Sequence, residues 1–268
     1  MKLTMLGTGH AMVTECYNTC FVLSENDRRF LVDGGGGNGL LRQLKHAGIR
    51  PREISDIFVT HRHTDHITGI LWMLRQFAHP GPPGTPKQDV NIYSHGEVIT
   101  ILKTMAELLF PGRDGKGIRE QIRFIEVQDG ESKTILGRNV TFFDIQSVKA
   151  KQFGFCMELA GGGKLTCCGD EPCHEHGRRY AQGSTWLLHE AFCREADTVP
   201  GRHPSKMQHS TVKDACELAE ELGAKNLLLY HTEDQHLADR KRLYTEEGRK
   251  YFSGRLYVPN DLEVIEIG

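Results

Sequence analysis

Short apolar runs alternate with longer amphipathic stretches along the whole chain. This alternation predicts an α/β fold, because strands bury short runs and helices repeat their apolar residues at three- and four-residue spacing. Residues 21–33 read as a hairpin that turns at Glu25-Asn26-Asp27. No internal repeat and no linker-like segment interrupts the pattern. We therefore expect a single domain over residues 1–268.

Five amphipathic segments predict helices, because each combines helical spacing with a recognisable end signal. They cover residues 39–47, 68–77, 98–109, 211–222 and 235–250. In the fourth, we expect Ser210 to cap the start and Gly223 to end the helix. A segment rich in proline and glycine at 79–86 is expected to be a loop. The stretch from 122 to 168 predicts several strands joined by glycine-containing turns.

The densest chemical pattern follows the apolar run Asp56-Ile57-Phe58-Val59. It has the form HxHxDH and places His61, His63, Asp65 and His66 within six positions. Imidazole and carboxylate groups are ligands suited to Zn²⁺, Mn²⁺ or Fe. On a loop after a strand, the first two histidines can reach one metal, while Asp65 and His66 reach a second. Two adjacent metals can activate water and neutralise an anionic substrate; the alternative interpretation is a solvated polar loop.

Further motifs, taken in order along the chain, resemble the metallo-β-lactamase superfamily. Residues 1–9 read as a strand that runs into a glycine turn, and Asp33 ends a strand before a run of glycines. Cys168-Gly169-Asp170 resembles the end of the family's strand that contains the bridging aspartate. Tyr230-His231 resembles the end of the strand that contains the last histidine ligand. His209-Ser210-Thr211 resembles the HST signature of the ribonuclease Z branch, whose histidine assists phosphodiester cleavage.

This resemblance implies an αββα sandwich with metals at one edge, where strand ends from its two layers meet. It implies a metal-dependent hydrolase with two divalent metal ions, zinc being preferred and manganese or iron the alternatives. Asp65 would also act as a base toward the attacking water, and His209 as a general acid. The implied metal ligands are His61, His63, Asp65, His66, Gln146, Asp170 and His231.

Gln146 is included because a histidine is missing from the first metal site. Between His95 and His174 the chain contains no histidine, although Phe153-Gly154-Phe155 matches the aromatic-glycine-aromatic turn that follows this ligand in the family. Gln146 precedes a serine at a point where the family often has His-Ser; Lys149 is disfavoured, since its charge would oppose a cation. An amide oxygen is a poorer ligand than an imidazole. We therefore expect the first metal to bind weakly.

Two other groups near predicted strand ends are left open. His189-Glu190 either orients a ligand by hydrogen bonding or acts as a cap. A second group either holds a structural zinc or consists of buried thiols beneath a polar surface. Its members are Cys167, Cys168, Cys173, His174 and His176.

Composition narrows the functional classes. A formal net charge of −2 argues against a general binder of polyanions. The eight cysteines are scattered rather than spaced as a disulfide framework. No apolar stretch approaches the length of a membrane span, and the first residues lack the features of a signal peptide. We therefore expect a cytoplasmic protein without a membrane partner.

The resemblance thus implies a phosphodiesterase whose substrate is RNA, a cyclic nucleotide or a cyclic phosphate. The stretch from Gln146 to Asp170 is too short for the arm with which ribonuclease Z enzymes hold tRNA, so tRNA is not expected as a substrate. A hydrolase of esters, lactones or thioesters is the alternative enzyme. A non-catalytic ligand- or metal-binding protein is the alternative of another class, and a homodimer is left open.

Overall fold

The computed structural model describes residues 1–79, 89–201 and 203–268. Most of the loop predicted at 79–86 lies outside these residues. Within them, no helix is long and apolar enough to cross a membrane.

Among the residues described, fourteen strands form two seven-stranded sheets. The first sheet has the order β14-β1-β2-β3-β4-β5-β6 and the second the order β13-β12-β11-β10-β9-β8-β7. The strands of the first sheet are β1 (Lys2–Gly7), β2 (Cys20–Glu25), β3 (Arg28–Val32), β4 (Ile54–Phe58), β5 (Val90–Ser94), β6 (Ile122–Glu126) and β14 (Val264–Glu266). Those of the second are β7 (Ser132–Ile135), β8 (Arg138–Asp144), β9 (Phe153–Glu158), β10 (Lys164–Cys167), β11 (Trp186–Glu190), β12 (Asn226–Tyr230) and β13 (Arg255–Tyr257).

Helices cover the outer faces of the two sheets. They are α1 (Gly39–His46), α2 (Thr64–Ala78), α3 (Gly96–Leu109), α4 (Arg113–Gln121), α5 (Glu175–Ala181), α6 (Val212–Glu221) and α7 (Arg240–Gly248). All five predicted helices are present, but the last begins at Arg240 rather than at residue 235. The short helices α4 and α5 were not predicted. Ser210 does not cap α6; the Thr211 hydroxyl accepts from the backbone N–H of Asp214, whose carboxylate bonds back to Thr211.

The core lies between the two sheets, where the inward-facing residues of both form one buried cluster. The rings of Phe30 and Phe155 meet edge to face at 5.6 Å, and those of Phe58 and Phe142 lie 4.9 Å apart. Separate apolar clusters fill the spaces beneath the helices on each outer face. The layers are therefore α, β, β and α, as predicted.

The ends of several strands converge at one edge of the sandwich. Strands β3 to β6 run parallel in the first sheet, and β10 to β13 in the second, so their carboxyl ends lie on common edges. The backbone N–H of Phe153 donates to the carbonyl of Thr60, and that of His10 to Thr232. These bonds join the two layers at the edge where the HxHxDH loop lies.

Candidate metal centre

The HxHxDH motif spans the loop between β4 and α2. His61 lies shortly after the end of β4 and is buried, whereas His63 is the N-terminal cap residue of α2. Asp65 lies in the first turn of the helix, near the positive end of its dipole. The motif therefore changes from extended to helical backbone within a few residues, and this turn directs its side chains to a common point.

Asp170 lies at the centre of the cluster, three residues beyond the end of β10. Its Oδ2 atom is 3.5 Å from Nε2 of His61, 3.6 Å from Nε2 of His66 and 3.5 Å from Nε2 of His231. All four side chains are buried. A carboxylate oxygen shared by three imidazoles in this way is suited to bridging two cations.

Asp65 and His63 complete the group on either side. The Oδ2 atom of Asp65 lies 3.2 Å from Nε2 of His66 and 3.5 Å from Nε2 of His231. On the other side, Nδ1 of His63 is 2.8 Å from Nε2 of His61. The structure therefore brings together six of the seven predicted metal ligands.

The donors present fit a pair of borderline cations. Ligand atoms from His61, His66 and Asp170 lie within 4.8 Å of one another, and so do those from Asp65, His66 and His231. Nε2 of His66 and both ring nitrogens of His231 are buried without a hydrogen-bond partner. Buried polar atoms normally have partners. Imidazole nitrogens without partners, next to carboxylate oxygens, are the set of ligands that zinc takes in proteins.

The pKa values of the residues in the cluster are shifted in different directions by burial and by neighbouring charges. Burial opposes ionisation of Asp170, but nearby His61, His66 and His231 hold the pKa of its carboxyl well below the usual value. Burial likewise opposes protonation of His66, yet Asp65 and other carboxylates raise its pKa well above the usual value. For His61, burial dominates and lowers the pKa. The carboxylates are thus held ionised, as metal ligation requires.

The pKa of Asp65 is also shifted downward. Burial opposes its ionisation, but His66 and His231 together stabilise the carboxylate and bring the pKa far below its usual value. A carboxylate so strongly stabilised is well suited to holding a cation and is a weak acceptor of protons. Its role as a base stays a prediction.

Asp33 supports the cluster and was not predicted as a site residue. Its carboxylate accepts hydrogen bonds from the backbone and hydroxyl of Thr60, both at 2.8 Å, and from Nδ1 of His66 at 2.7 Å. This contact fixes the ring of His66 so that Nε2 points toward Asp65 and Asp170. The signal in the sequence was Asp33 itself, ending a strand before glycines, but nothing local links it to His66.

The structure does not bring Gln146 into the cluster. Gln146 is exposed on a loop at φ 60°, and its backbone N–H donates to Asp144. Instead Gln152, just before β9, donates from Nε2 to Oδ1 of Asp170 at 2.7 Å and lies 3.1 Å from Nδ1 of His61. Gln152 is buried, and its Oε1 has no hydrogen-bond partner. The prediction of Gln146, which rested on the serine that follows it, was therefore wrong. A glutamine directly before the strand with Phe153-Gly154-Phe155 was the better signal, and this glutamine is Gln152.

His209 lies beside the cluster with a carboxylate behind it. Its ring is 5.3 Å from that of His231, and its Nδ1 is 3.6 Å from Oε2 of the fully buried Glu190. The other oxygen of Glu190 accepts from the backbone N–H of Ser210. On the open side, Nζ of Lys149 lies 3.4 Å from Nε2 of His209. A histidine oriented by a carboxylate is suited to proton transfer.

His189 has a scaffolding position. Its Nδ1 donates to the carbonyl of Glu190 at 2.7 Å, and its Nε2 accepts from the backbone N–H of Cys173. Burial lowers the pKa of this ring, which matches its use as a neutral donor and acceptor. His189 therefore fixes the loop after Asp170 to the end of β11.

The group of cysteines and histidines around residue 170 does not converge on one point. Cys168 lies against Cys173, and both are buried free thiols. His176 points instead to Asp129, at 2.9 Å, and His174 faces Glu171. The interpretation as buried thiols beneath a polar surface is the one that this arrangement favours.

Comparison with known proteins agrees with the fold. A sequence profile of the family "Anti-Pycsar protein Apyc1" matches residues 1–252. Ribonuclease Z of Enterococcus faecalis is 25% identical over 321 aligned positions, which cover 100% of this chain and 97% of that protein.

Solved structures give the same picture at the level of the fold. The metallo-β-lactamase fold protein YhfI from Bacillus subtilis has a TM-score of 0.79 at 17% identity, covering 98% of each chain. The short form of human tRNase Z has a TM-score of 0.74 at 24% identity, covering 100% of each chain. The chain therefore belongs to the Apyc1 family of anti-Pycsar proteins, within the ribonuclease Z-like branch of the metallo-β-lactamase superfamily.

Proposed function

We propose that this protein is a metal-dependent phosphodiesterase that hydrolyses a small phosphodiester, such as a cyclic nucleotide or a cyclic phosphate. The observation that carries the proposal is the position of His209, which lies at the edge of the donor cluster with the buried carboxylate of Glu190 behind it. An alkoxide leaving group needs a proton as the P–O bond breaks, and this histidine is placed to supply one.

We infer the metal ligands from the geometry of the cluster, which supports the following assignment. His61, His63 and Asp170 would hold the first ion, whereas Asp65, His66 and His231, together with Asp170, would hold the other. The nitrogen-rich donor set favours zinc, with manganese or iron as alternatives. When bound, two such cations would polarise the phosphate and lower the pKa of an attacking water.

The remaining steps fall to the chain's own side chains. The ammonium group of Lys149 lies beside His209 and is partly exposed, so it can hold a phosphate oxygen and offset its charge. Water adds to phosphorus and loses one proton to the solvent, the P–O bond to the leaving oxygen breaks, and His209 delivers its proton to that oxygen. The solvent then returns a proton to His209, so that the step balances. The buried carboxylate of Glu190 lies behind the ring, 3.6 Å from its Nδ1 atom, and helps to position the ring for the transfer to the leaving oxygen.

A small substrate is favoured over tRNA. Residues 146–170 consist of a short loop, β9, a turn and β10, followed by the strand end that carries Asp170. No arm projects from this part of the described chain. A net charge of −2 gives little compensation for the lost phosphate contacts.

The test is a comparison of two substrates on one preparation. Metal-free protein reconstituted with Zn²⁺ or Mn²⁺ should hydrolyse bis(4-nitrophenyl) phosphate and a 3′,5′-cyclic nucleotide. Asp170→Ala should abolish both activities, and Leu108→Ala, an exposed change on α3, should leave them unchanged. Hydrolysis of a lactone or thioester without phosphodiesterase activity would favour the alternative enzyme. Metal uptake without any hydrolysis would favour a binding protein.

A further inference from the structure

The loop between β8 and β9, residues 145–152, carries Lys149 to the side of the candidate metal centre where His209 lies. We call it the lysine loop. The N–H of its first residue donates to the carbonyl of its last at 3.0 Å, so its two ends are closed. Inside it, the N–H groups of Lys149 and Ala150 both donate to Oγ of Ser147 at 3.2 Å. The lysine loop is therefore folded around a single hydroxyl group.

The same hydroxyl group ties the lysine loop to the rest of the site. Oγ of Ser147 donates to Oε1 of Glu171 at 2.6 Å, and Glu171 is only 1% exposed. Glu171 directly follows Asp170, which lies at the centre of the donor cluster. A hydrogen bond to a buried, charged acceptor is among the stronger kinds in proteins. This bond, which we call the serine latch, therefore fixes the lysine loop relative to the metal centre.

The ammonium group of Lys149 lies between Glu171 and His209. Its Nζ atom is 3.7 Å from Oε1 of Glu171 and 3.4 Å from Nε2 of His209, and the side chain is 26% exposed. The first distance is longer than a hydrogen bond, so the carboxylate attracts the ammonium group without occupying one of its donors. A partly exposed ion pair of this kind contributes little to stability. Lys149 is thus held near the site and still free to donate to an anion.

Holding a lysine in this way has a consequence for binding. A lysine side chain is long and flexible, and it loses much of its rotamer freedom when it contacts a ligand. A backbone fixed by the serine latch removes part of that loss before the ligand arrives. The charge of Glu171 has the opposite effect, because it repels an anion. Ser147 carries no charge, so its removal changes the position of Lys149 alone.

We propose that Ser147 and Glu171 are positioning residues that hold Lys149 beside His209 for contact with the phosphate group of the substrate. This inference rests on the proposed phosphodiesterase function, in which Lys149 holds a phosphate oxygen. It adds the residues through which the fold places that cation. The alternative is that the serine latch only stabilises the lysine loop, in which case its loss acts equally with and without the lysine side chain.

A double-mutant cycle separates these two interpretations. Its members are the parent, Ser147→Ala, Lys149→Ala and the double variant, each reconstituted with Zn²⁺. Ser147→Ala should weaken the binding of inorganic phosphate, measured by calorimetry, about tenfold, the scale of one hydrogen bond to a charged group. It should raise KM for bis(4-nitrophenyl) phosphate by a similar factor and change kcat little. When Lys149 is already alanine, the same change should have less than about a twofold effect.

Two further variants serve as controls. Ser147→Thr keeps the hydroxyl group and should bind phosphate within about threefold of the parent, because the serine latch can still form. Ser132→Ala removes an exposed hydroxyl group that bonds Oγ1 of Thr141 at 2.8 Å, far along the chain from the lysine loop. It should leave phosphate binding and KM unchanged. The zinc content of Ser147→Ala should equal that of the parent, since the proposed metal ligands are intact.

Phosphate binding by Ser147→Ala within about twofold of the parent would overturn the inference. An equal loss with and without Lys149, or a fall in zinc content that accounts for the loss, would overturn it as well, because the serine latch would then act on the loop or on the metals. A protein that shows the coupling in phosphate binding, yet hydrolyses no phosphodiester after metal reconstitution, would instead refute the proposed function and leave the role of Ser147 in place.

Discussion

At the scale of single residues, the two halves of the candidate metal centre are unequal. Asp65, His66 and His231 surround one side with buried charged and imidazole donors. On the other side are His61 and His63, and the buried amide of Gln152 lies next to His61 and Asp170. Among the described residues, the further imidazole close to His61 is that of His66, which the second site also uses. An amide donates less charge than an imidazole, so the first site should bind its metal less tightly.

Gln152→His should therefore raise the metal content of the protein and tighten binding by about tenfold or more, the scale on which neighbouring groups tune metal sites. The control is Gln146→His, because Gln146 is exposed and bonds only through its backbone to Asp144. Elemental analysis and titration of metal-free protein with Zn²⁺ measure the effect. Higher zinc content for Gln146→His but not for Gln152→His would contradict the prediction, since it would place Gln146 rather than Gln152 at the metal site.

His209→Ala should lower phosphodiester turnover by roughly 10²–10⁴-fold without removing metal, because the variant loses its general acid. The loss should shrink with nitrophenyl substrates, whose leaving groups need less protonation. Glu190→Gln should reproduce a smaller part of the loss, since it keeps the shape but removes the charge behind the ring. Equal turnover of parent and variant on a nucleoside leaving group would rule out this role for His209.

At the scale of elements, the turn after β3 and the start of helix α2 are packed backbone against backbone. The N–H of Gly34 donates to the carbonyl of His66, and that of Gly69 to the carbonyl of Gly35. A Cβ atom on Gly69 would lie 1.8 Å from the carbonyl oxygen of Gly34. This close packing places Asp33 next to His66, and it explains why glycines follow that aspartate. Asp33 itself has a φ of 58°, a strained conformation for a residue with a side chain.

Gly69→Ala should separate these elements and lower the free energy of unfolding by about 3 kcal/mol, at the upper end of the usual cost of overpacking. Metal affinity should fall as well, because Asp33 would no longer hold His66. Gly161→Ala is the matched control, since a Cβ there meets nothing within 4 Å and the residue does not require a positive φ. Chemical denaturation and zinc titration of both variants provide the measurement; a stable Gly69→Ala protein with full zinc affinity would contradict it.

At the scale of the whole molecule, the two sheets bring the site together at one edge and leave no arm between residues 146 and 170. The features next to the centre are therefore small: a cavity of about 360 Å³ lined in part by His10 and Phe192, and the partly exposed Lys149. Long nucleic acids need distant phosphate contacts for affinity. The homodimer and the cytoplasmic location stay predictions.

The protein should accordingly bind pre-tRNA more weakly than about 1 µM at physiological salt, since few distant phosphates can be contacted. Filter binding or fluorescence anisotropy at several salt concentrations measures this. The same preparation should hydrolyse bis(4-nitrophenyl) phosphate, which shows that weak binding does not reflect damaged protein. Binding in the submicromolar range with a steep salt dependence would mean that a basic surface replaces the arm.

The sequence by itself determined the αββα layers and most of the donor cluster at the candidate metal centre, because these depend on local signals. Apolar periodicity predicted the strands, and the HxHxDH loop holds four donors that are close in the chain and so close in space. Asp170 and His231 follow apolar strands that must end at the same edge. Neighbouring residues in the sequence also predicted the turn of the first hairpin and the strand that contains Phe153-Gly154-Phe155.

Only the tertiary structure decided which distant side chains meet around that cluster. Asp33 and His66 are separated by 33 residues, and Gln152 lies 91 residues from His61. No local pattern specifies such contacts, because they depend on how loops cross the edge of the sandwich. The choice between Gln146 and Gln152 was of this kind: each lies close before the same strand, and the backbone between them turns one outward to solvent and the other inward to Asp170.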